Sequence, residues 1–448
     1  MSEPRTNQKR TAILYFGATK QDYLSLVQEK KHSGLLEYIQ PLLQAQLHPE
    51  QHQNGCSDQS HYTIHSQRNR QLQGLLGARE TIPVCRVRCQ SCRAVFTVLP
   101  SFILRYRRQD ADCLGKLLEM NLGMGLSLRE TASIYRWMDS THRWQPSWIW
   151  TLVQWLGTLL PVYLLLMRMG LTPPEHILSD EKFAVLNGAK VYLFLVSEQE
   201  LIWHGKWMPN SDEECFTQTI EAFCVGMDGA ARSSGHLAVA DEYVPTSVTT
   251  DGWIASQNAW EAVVPKISLI ECKLHGQKRV SLSLDEYLKA HPELSSEQLR
   301  QVKDHLNSVL SAPSLAAFSQ RIRRNLIRYR DEPILLKRLN ILKDKRFRFT
   351  NALKFDDAPA YSAPLDRSMR FLDEKLISFG QFRSEQTLDP MLNAWAIVNN
   401  LRPFLPDAQK VGQSLAEFFG AKLKGIPWME VLNLCTVGSL QNSMPSPS

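Results

Sequence analysis

Three aspartates, Asp180, Asp251 and Asp366, stand in sequence contexts that suit metal-dependent chemistry on a phosphodiester. Hydrolysis of a phosphodiester, or its attack by a 3′-hydroxyl, is accelerated by two divalent ions held roughly 3.5 to 4 Å apart. Magnesium prefers oxygen ligands in near-octahedral geometry, so carboxylates are the side chains to expect at such a site. We therefore expect Asp180 and Asp251 to be the primary ligands of Mg²⁺ or Mn²⁺, and Asp366 to complete the second metal site.

The first two aspartates lie in or directly after segments that predict strands. Asp180 lies within the segment 176–186, which leads through the hairpin signal Asn187-Gly188 into a second apolar segment. Asp251 comes directly after the β-branched run 248–250 and directly before a turn glycine. Each strand would thus deliver one carboxylate to the site.

The third aspartate is expected to open a helix. Apolar residues recur at three- and four-residue steps after Pro364, which places them on one face of a helix. These residues are Leu365, Met369, Leu372 and Leu376. Asp366 would then lie in the first turn, beside that face.

Ordinary structural roles compete with the metal-binding roles. A single Asp at a strand end more often caps a helix or stabilises a turn than binds a metal, so the metal interpretation rests on three acids in matching contexts.

Downstream of Asp251, Cys272 and His275 form a Cys-x-x-His with the spacing of one helical turn. That spacing also fits ordinary packing, so we treat the pair as supporting the site and not as catalytic.

The order of these residues resembles the transposases of bacterial insertion sequences, which use an RNase H-like catalytic domain with an Asp, Asp, Glu triad. In that family an acid lies on the first strand, an Asp-Gly with a downstream Cys-x-x-His follows a later strand, and an acid-Arg pair opens a late helix. This chain matches with Asp180, with Asp251-Gly252 and Cys272-x-x-His275, and with Asp366-Arg367. The resemblance extends over residues 48 to 405, which is most of the chain.

The resemblance implies a protein that cuts DNA at the ends of a mobile element and joins the freed 3′-hydroxyl to target DNA, acting as a homo-oligomer. Arg367 would neutralise a phosphate near the cut. The chain departs from the family at the third acid, which is Asp366 where most relatives carry Glu. Asp is shorter by about 1 Å, and catalytic geometry must hold to roughly 0.5 Å. Two outcomes stay open: an active triad of aspartates, or a protein that binds DNA but cuts poorly.

A zinc ribbon is predicted ahead of these segments. Cys89-Gln90-Ser91-Cys92 has the spacing of one half of a zinc knuckle, and the flanking segments are typical of strands. The second ligand pair is His52 with Cys56, or Cys56 with His61, and Cys85 is a further sulfur. We expect structural Zn²⁺ on Cys89, Cys92, Cys56 and His52; a ribbon held by its strands alone is the alternative.

Arginines without lysines dominate the predicted ribbon and its surroundings, which favours contacts with phosphates and base edges. Just downstream, Ser127 and Glu130 form a capping box that begins a helix. With the segment 114–120 and a Gly-containing turn they suggest a helix-turn-helix, although an ordinary helical hairpin fits the same pattern. The residues that we expect to contact DNA are Arg86, Arg88, Arg93, Arg107, Arg108 and Arg129.

Two further segments allow alternatives. A helical insertion between Asp251 and Asp366 carries a second basic segment, 321–338, which is either a solvated helix face or a phosphate-contacting surface. The most apolar run, 148–167, approaches the length of a membrane span. Gln154 and Pro161 interrupt that run, so we expect buried helices and no membrane partner.

Composition narrows the class of protein. With 448 residues, of which 44% are hydrophobic, the chain is large enough for two or three cores. The net charge of +6 is modest, so the clustering of arginines carries the inference of a nucleic-acid partner. Nine scattered cysteines fit reduced thiols in a cytoplasm better than a disulfide framework. The sequence contains no Gly-rich phosphate-binding loop, so it does not suggest that the protein uses ATP.

The sequence therefore predicts an α/β protein whose RNase H-like mixed sheet, flanked by helices and interrupted by a helical insertion, follows a zinc ribbon and a helix-turn-helix. Two rival functions are a DNA-binding regulator descended from such an enzyme and a resolvase-like nuclease that cuts branched DNA. The expected segments are 1–47 (helical), 48–104 (zinc ribbon), 105–172 (helix-turn-helix and connecting helices), 173–280 (first part of the catalytic core), 281–355 (helical insertion), 356–410 (last part of the core) and 411–448 (a helix and a disordered tail).

Overall fold

The structure, a computed structural model, describes residues 13–28, 33–46, 62–74, 77–104, 107–139, 144–238, 241–404, 412–423 and 426–436. The chain divides into two compact units. The first unit takes in the described parts of 1–160, 168–171 and 401–448, and the second those of 161–167 and 172–400. Each unit combines helices with a mixed sheet, so the predicted α/β class is confirmed.

Helices occur along the whole described part of the chain. In chain order they are α1 (Lys20–Gln28), α2 (Ser33–Gln46), α3 (Ala111–Leu118), α4 (Leu128–Met138), α5 (Pro146–Gly157), α6 (Val162–Arg168), α7 (Glu213–Ser233), α8 (Ile254–Val263), α9 (Lys273–Ala290), α10 (Ser296–Leu310), α11 (Leu315–Arg328), α12 (Pro333–Asp344), α13 (Arg346–Thr350), α14 (Ala363–Phe379), α15 (Leu388–Leu401), α16 (Leu415–Phe418) and α17 (Trp428–Thr436).

The sheet of the first unit has the strand order β1-β4-β3-β2 within the described residues. Its strands are β1 (Ile13–Phe16), β2 (Tyr62–Gln73), β3 (Arg79–Cys89) and β4 (Val95–Pro100). β2, β3 and β4 are antiparallel neighbours, whereas β1 pairs with β4 in parallel. The segment 1–47, predicted to be helical, therefore also supplies a strand to the sheet that the sequence assigned to a separate ribbon. A four-residue apolar run is too short to reveal this by periodicity.

The helix pair predicted in the first unit is present. α3 continues into a π-helical turn, Glu119–Gly123, and α4 follows after a short turn in which Gly125 has a φ of +73°. The capping box is confirmed, because Ser127 Oγ accepts from the Glu130 backbone N at 3.2 Å while the Glu130 carboxylate accepts from the Ser127 N at 2.8 Å.

The sheet of the second unit has the order β7-β6-β5-β8-β9 in the described part of the chain. Its strands are β5 (His176–Leu186), β6 (Ala189–Glu198), β7 (Leu201–Met208), β8 (Ser247–Thr250) and β9 (Ser268–Glu271). β5, β6 and β7 are antiparallel, and β8 and β9 continue the sheet in parallel. The predicted hairpin is confirmed: Asn187 and Gly188 both have positive φ, 51° and 81°, as a two-residue type I′ turn requires.

Helices cover this second sheet and enclose a core that is rich in aromatic residues. Phe194 of β6 lies 6.0 Å, ring to ring, from Phe216 of α7, and Trp260 of α8 is completely buried. α15 attaches to β7 through Asn400, whose side chain accepts from the Ile202 N at 3.0 Å and donates to the Ile202 carbonyl at 2.6 Å. α15 is thereby fixed to the edge strand of the sheet whose strands β5 and β8 position Asp180 and Asp251.

The helical insertion between Asp251 and Asp366 is also observed. It consists of α9 to α13, which pack around a hydrophobic cluster of their own. Completely buried members of the cluster include Val280, Leu306, Val309, Leu335 and Leu339. The insertion therefore has an independent core and does not simply lie against the sheet.

The apolar run 148–167 is divided between two helices, α5 and α6. Among the described residues, no single helix combines the length and the apolar character needed to cross a membrane; α5 and α6 meet that requirement only when taken together.

Candidate functional site

The register of the second sheet brings Asp180 and Asp251 together. β5 and β8 are parallel neighbours in which Leu178 lies opposite Thr249, so the same register two residues further along places Asp180 beside Asp251. Oxygen atoms of Asp180, Glu181 and Asp251 all lie within 4.8 Å of one another. We call these three residues the acidic cluster. Two of the predicted ligands thus meet, although they are far apart in the chain.

The turn that carries Asp251 is fixed by a buried ionic network. Arg279 of α9 donates from Nη2 to the Asp251 carbonyl at 2.6 Å and from Nη1 to Glu271 at 2.6 Å. Glu271 is 1% exposed and also accepts from Lys345 at 2.7 Å. Gly252 has a φ of +96°, and a Cβ there would lie 2.6 Å from both Arg279 and Glu271. Glycine is therefore required on both conformational and steric grounds.

Sequence reasoning missed Glu181, although it directly follows Asp180. The backbone N of Glu181 donates to Asp180 Oδ1 at 2.8 Å. Burial, reinforced by the charge of Asp251, raises the pKa of Asp180 to about 7. Burial and the charges of Asp251 and Asp180 likewise raise the pKa of Glu181 to about 9. An Asp-Glu pair within a strand was the available signal, but adjacent strand residues ordinarily point to opposite faces, and this argued against a shared site.

Asp366 lies in the first turn of α14, as predicted, and the face of that helix formed by Leu365, Met369 and Leu372 is buried. Leu376, expected on the same face, is only half-buried. The charge of Asp366 contributes to the raised pKa of Asp180, so the two carboxylates interact electrostatically. Asp366 is nevertheless absent from the group whose oxygens lie within 4.8 Å of one another. Its short side chain is instead engaged by Ser362.

Ser362 connects Asp366 to the Cys272–His275 pair. Its hydroxyl donates to Asp366 Oδ2 at 3.2 Å and lies 3.3 Å from Cys272 Sγ and 3.5 Å from His275 Nδ1. Its backbone N donates to Cys272 Sγ at 3.2 Å. A hydroxyl has a single proton, so a Ser362 that donates to Asp366 accepts from the other partners. Cys272 and His275 therefore reach the third acid through one buried serine.

The pKa values of Cys272 and His275 are shifted by the hydrogen bonds that join them to each other and to Ser362. Burial tends to raise the pKa of Cys272, but hydrogen bonds from His275 and Ser362 lower it below the usual value. The hydrogen bond to Cys272 is the main cause of a raised pKa at His275. The pair consequently favours a proton on the imidazole, which would place a positive charge close to the acids. Such a charge suits a supporting role for the pair better than metal ligation.

Arg367 is engaged elsewhere. Its guanidinium pairs with Glu200 at the turn between β6 and β7, with contacts of 2.5 and 2.6 Å, although 64% of its side chain is exposed. The neighbouring Ser368 also donates to the Glu200 carbonyl at 3.0 Å. The structure therefore gives Arg367 a carboxylate partner, which a phosphate would have to replace.

The donor atoms of the acidic cluster fit a hard divalent cation. Three carboxylates within 4.8 Å offer only oxygen, the element that Mg²⁺ prefers, and Mn²⁺ accepts the same donors. Burial, and after it the neighbouring carboxylates, raises the pKa values of Asp180 and Glu181, and a bound cation would stabilise the charged form of both groups.

The predicted zinc site lies only partly within the described residues. Cys89 ends β3 and is buried, and Cys92 lies half-buried in the turn to β4, where Arg93 donates from its N to the Cys89 carbonyl at 3.1 Å. Cys85 is buried on β3, and burial raises its pKa to about 11. His52, Cys56 and His61 lie outside the described residues. In the described part, no group of three candidate ligands includes Cys89 or Cys92.

Two of the arginines expected to contact DNA lie on β3. Cys85, Val87 and Cys89 are buried, and the strand alternation places Arg86 and Arg88 on the opposite face of the sheet. Arg88 Nη2 lies 3.2 Å from His65 Nε2 on β2.

The other predicted DNA-contacting arginines occupy turns and helix starts. Arg93, Arg108 and Arg129 are exposed, and Arg93 has a φ of +64° in the β3–β4 turn. Arg107 is half-buried, and its guanidinium lies 5.0 Å from the centre of the Trp155 ring. Because Arg107 is half-buried against this ring, its guanidinium is less accessible to a ligand than those of the exposed three.

A family described as a domain of unknown function (DUF6431) matches residues 54–137. The matched region runs from before β2 almost to the end of α4, and therefore joins the predicted ribbon and the predicted helix pair in one family unit. No curated protein matches the chain.

Proposed function

We propose that this protein is a DDE-type transposase whose second unit is an RNase H-like domain that cleaves DNA strands and joins their 3′-hydroxyl ends to target DNA. The meeting of Asp180, Glu181 and Asp251 at neighbouring parallel strands carries the proposal. The mixed sheet flanked by helices, the helical insertion and the position of Asp366 at the start of a late helix support it.

In this proposal the acidic cluster holds divalent metal, and Asp366 completes a second metal position. Bound Mg²⁺ or Mn²⁺ would activate the attacking oxygen and stabilise the leaving oxygen. The chain's own contribution is pre-organisation: Arg279 fixes the Asp251 backbone, and Ser362 fixes the carboxylate of Asp366. Burial of Asp180, which is 8% exposed, limits competition from water at that carboxylate.

The first unit is proposed to bind the ends of the element. Arg86 and Arg88 on the face of β3 opposite its buried cysteines, with Arg93 in the adjacent turn, form a basic surface. Guanidinium groups suit phosphates and guanine edges because they donate in pairs. Cys89 and Cys92 would contribute two thiolates to a structural Zn²⁺ that holds the β3–β4 turn.

The test is nicking of supercoiled plasmid carrying the flanking DNA, in Mg²⁺ or Mn²⁺. Asp180→Asn and Asp251→Asn should each reduce the rate at least about a thousandfold, since metal ligation supplies several kcal/mol to the transition state. Asp285→Asn, at an exposed aspartate of α9, is the matched control and should leave the rate unchanged.

Two outcomes would overturn the proposal. A wild-type chain that binds DNA but shows no nicking at any Mn²⁺ concentration is a regulator derived from such an enzyme. A chain that prefers four-way junctions to linear ends is a resolvase-like nuclease. The departure at Asp366 makes the first outcome the sharper alternative.

A further inference from the structure

Two large aromatic side chains are exposed beside the acidic cluster. Phe183 is 63% exposed and Trp253 is 45% exposed. Each follows an acid of the cluster by two residues: Phe183 follows Glu181 on β5, and Trp253 follows Asp251. An aromatic ring exposed at such a position offers a face on which a base can stack.

The surroundings of Phe183 are cationic. Phe183 lies opposite Tyr192 of β6, and the ammonium of Lys190 is 4.8 Å from the centre of each ring. Because side chains alternate along strands, Glu181, Phe183 and Lys190 share one face of the β5–β6 hairpin. Two residues along a strand span about 7 Å, close to the distance between successive nucleotides of an extended strand.

We propose that Phe183, Lys190 and Trp253 bind unpaired DNA beside the acidic cluster, with the rings stacking on bases and Lys190 contacting a phosphate. The inference rests on the proposed function, which makes the substrate a DNA strand. Base stacking on aromatic side chains tolerates any sequence, and a neighbouring cation follows the backbone. The surface thus specifies the substrate as a locally unpaired strand at the point of cutting.

A second copy of this chain is the competing occupant, because Phe183 also borders an apolar groove with Leu376, Ile377 and Phe382. Two observations favour DNA. Lys190 lies exposed over the rings, and an apolar protein interface would have to desolvate its charge, whereas a phosphate would neutralise it. Trp253 does not line that groove, yet it has the same spacing from an acid of the cluster.

The experiment measures binding of the full chain to a fluorescent oligothymidylate and to a duplex of equal length, by anisotropy in EDTA. Phe183→Ala and Trp253→Ala should each weaken binding to the unpaired strand about tenfold. Phe183→Tyr and Trp253→Phe should restore it, because the stacking face is kept. Lys190→Ala should reduce the salt dependence by about 0.7 in the log–log slope, as expected for one lost phosphate contact to a single strand.

Val225→Ala is the matched control, since Val225 is 71% exposed on α7 of the same unit and lies outside both the acidic cluster and the basic segment 321–338. It should change neither affinity. Unchanged binding of the unpaired strand by both alanine variants would overturn the proposal. So would a change of sedimentation coefficient in Phe183→Ala and Ile377→Ala without a change in DNA affinity, which would assign the groove to a second copy.

Failure of this DNA-binding surface is distinguishable from failure of the proposed function. Binding in EDTA requires neither metal nor Asp180, so loss of unpaired-strand binding in Phe183→Ala supports the surface even if the wild type never nicks plasmid. Conversely, metal-dependent nicking that disappears in Asp180→Asn while Phe183→Ala binds the unpaired strand normally would keep the enzyme and exclude the surface.

Discussion

The acidic cluster of the second unit and the Cys89–Cys92 turn of the first unit, both predicted to bind metal, are built in different ways. The acidic cluster takes its oxygens from two strands distant in sequence, which parallel register places side by side. Cys89 and Cys92 come from a single hairpin turn and depend on another segment for further ligands. Sheet register can thus complete a site for a hard cation, whereas a turn supplies only half of a zinc site.

The largest expected effect tests the turn. Replacing both cysteines, Cys89→Ser with Cys92→Ser, should abolish binding of one Zn²⁺ per chain and lower the melting temperature of the first unit, because structural zinc contributes folding free energy. Metal content by mass spectrometry and calorimetry provide the measurement. Cys215→Ser, at a half-buried cysteine of the second unit, is the control. A folded wild type without zinc would instead indicate a ribbon held by its strands.

The next effect tests how the third acid joins the acidic cluster. Asp366→Asn should slow plasmid nicking about a hundredfold through loss of a charge, and Ser362→Ala about tenfold through loss of one hydrogen bond to a charged group. DNA affinity should stay unchanged in both variants. Asp366→Glu addresses the shortened side chain, and a faster rate would show that the missing methylene limits the wild type. Equal rates for Ser362→Ala and the wild type would exclude Ser362 as a positioning residue.

The acidic cluster should also show a characteristic pH dependence. Because the pKa values of Asp180 and Glu181 are raised to about 7 and about 9, their protons stabilise the metal-free fold at low pH, and this stability is lost as the pH rises through those values. Metal affinity should change in the opposite direction, increasing from pH 6 to pH 9 as the carboxylates lose their protons. Thermal melts and Mn²⁺ titrations test both trends.

Two substitutions sharpen the pH experiment. Glu181→Gln should reduce the loss of metal-free stability between pH 5 and about pH 9, and Asp180→Asn the loss between pH 5 and about pH 7. A metal-free melting temperature that does not vary from pH 5 to pH 9 in the wild type would contradict the charge accumulation inferred for the acidic cluster.

The smallest effect concerns the basic face of the first unit. Arg86→Ala and Arg88→Ala should each reduce the slope of log affinity against log salt for duplex DNA by roughly one. Affinity should fall similarly for all sequences if the contacts are to phosphates, and selectively if they are to bases. Arg300→Ala, at an exposed ion pair in the insertion, is the control. Slopes equal to that of the wild type would remove these two arginines from the interface.

Interactions between residues that are close in sequence allowed part of the structure to be predicted. The Asn187-Gly188 turn and the Ser127–Glu130 capping box depend on residues within four positions of one another, and both are confirmed. The helix that begins near Asp366 followed from its apolar spacing. The strand bearing Asp180 was predicted together with the hairpin signal that follows it, and the strand that ends just before Asp251 was predicted from a β-branched run.

Contacts between distant segments could not be predicted in the same way. The pairing of β1 with β4, the ion pair of Arg367 with Glu200, and the role of Ser362 all join residues whose proximity exists only after folding. Glu181 was missed for a different reason: it lies in the interior of β5, where strand alternation directs neighbouring side chains to opposite faces, yet its carboxylate has an oxygen within 4.8 Å of those of Asp180 and Asp251. The alternation that did hold, on β3, placed the arginines opposite the buried cysteines.

The helical insertion leaves the sheet and returns to it at almost the same point. The backbone N of Lys273, at the start of α9, donates to the carbonyl of Ala360 at 3.0 Å, and Thr249 Oγ1 donates to the carbonyl of Pro359 at 2.5 Å. A loop whose two ends are joined in this way can change in length at little entropic cost, since closure entropy grows only logarithmically with length. Segments of the insertion that contact neither the sheet nor its own core can therefore change in length, while the hydrogen bonds at the neck hold the second and third acids at a constant separation in space.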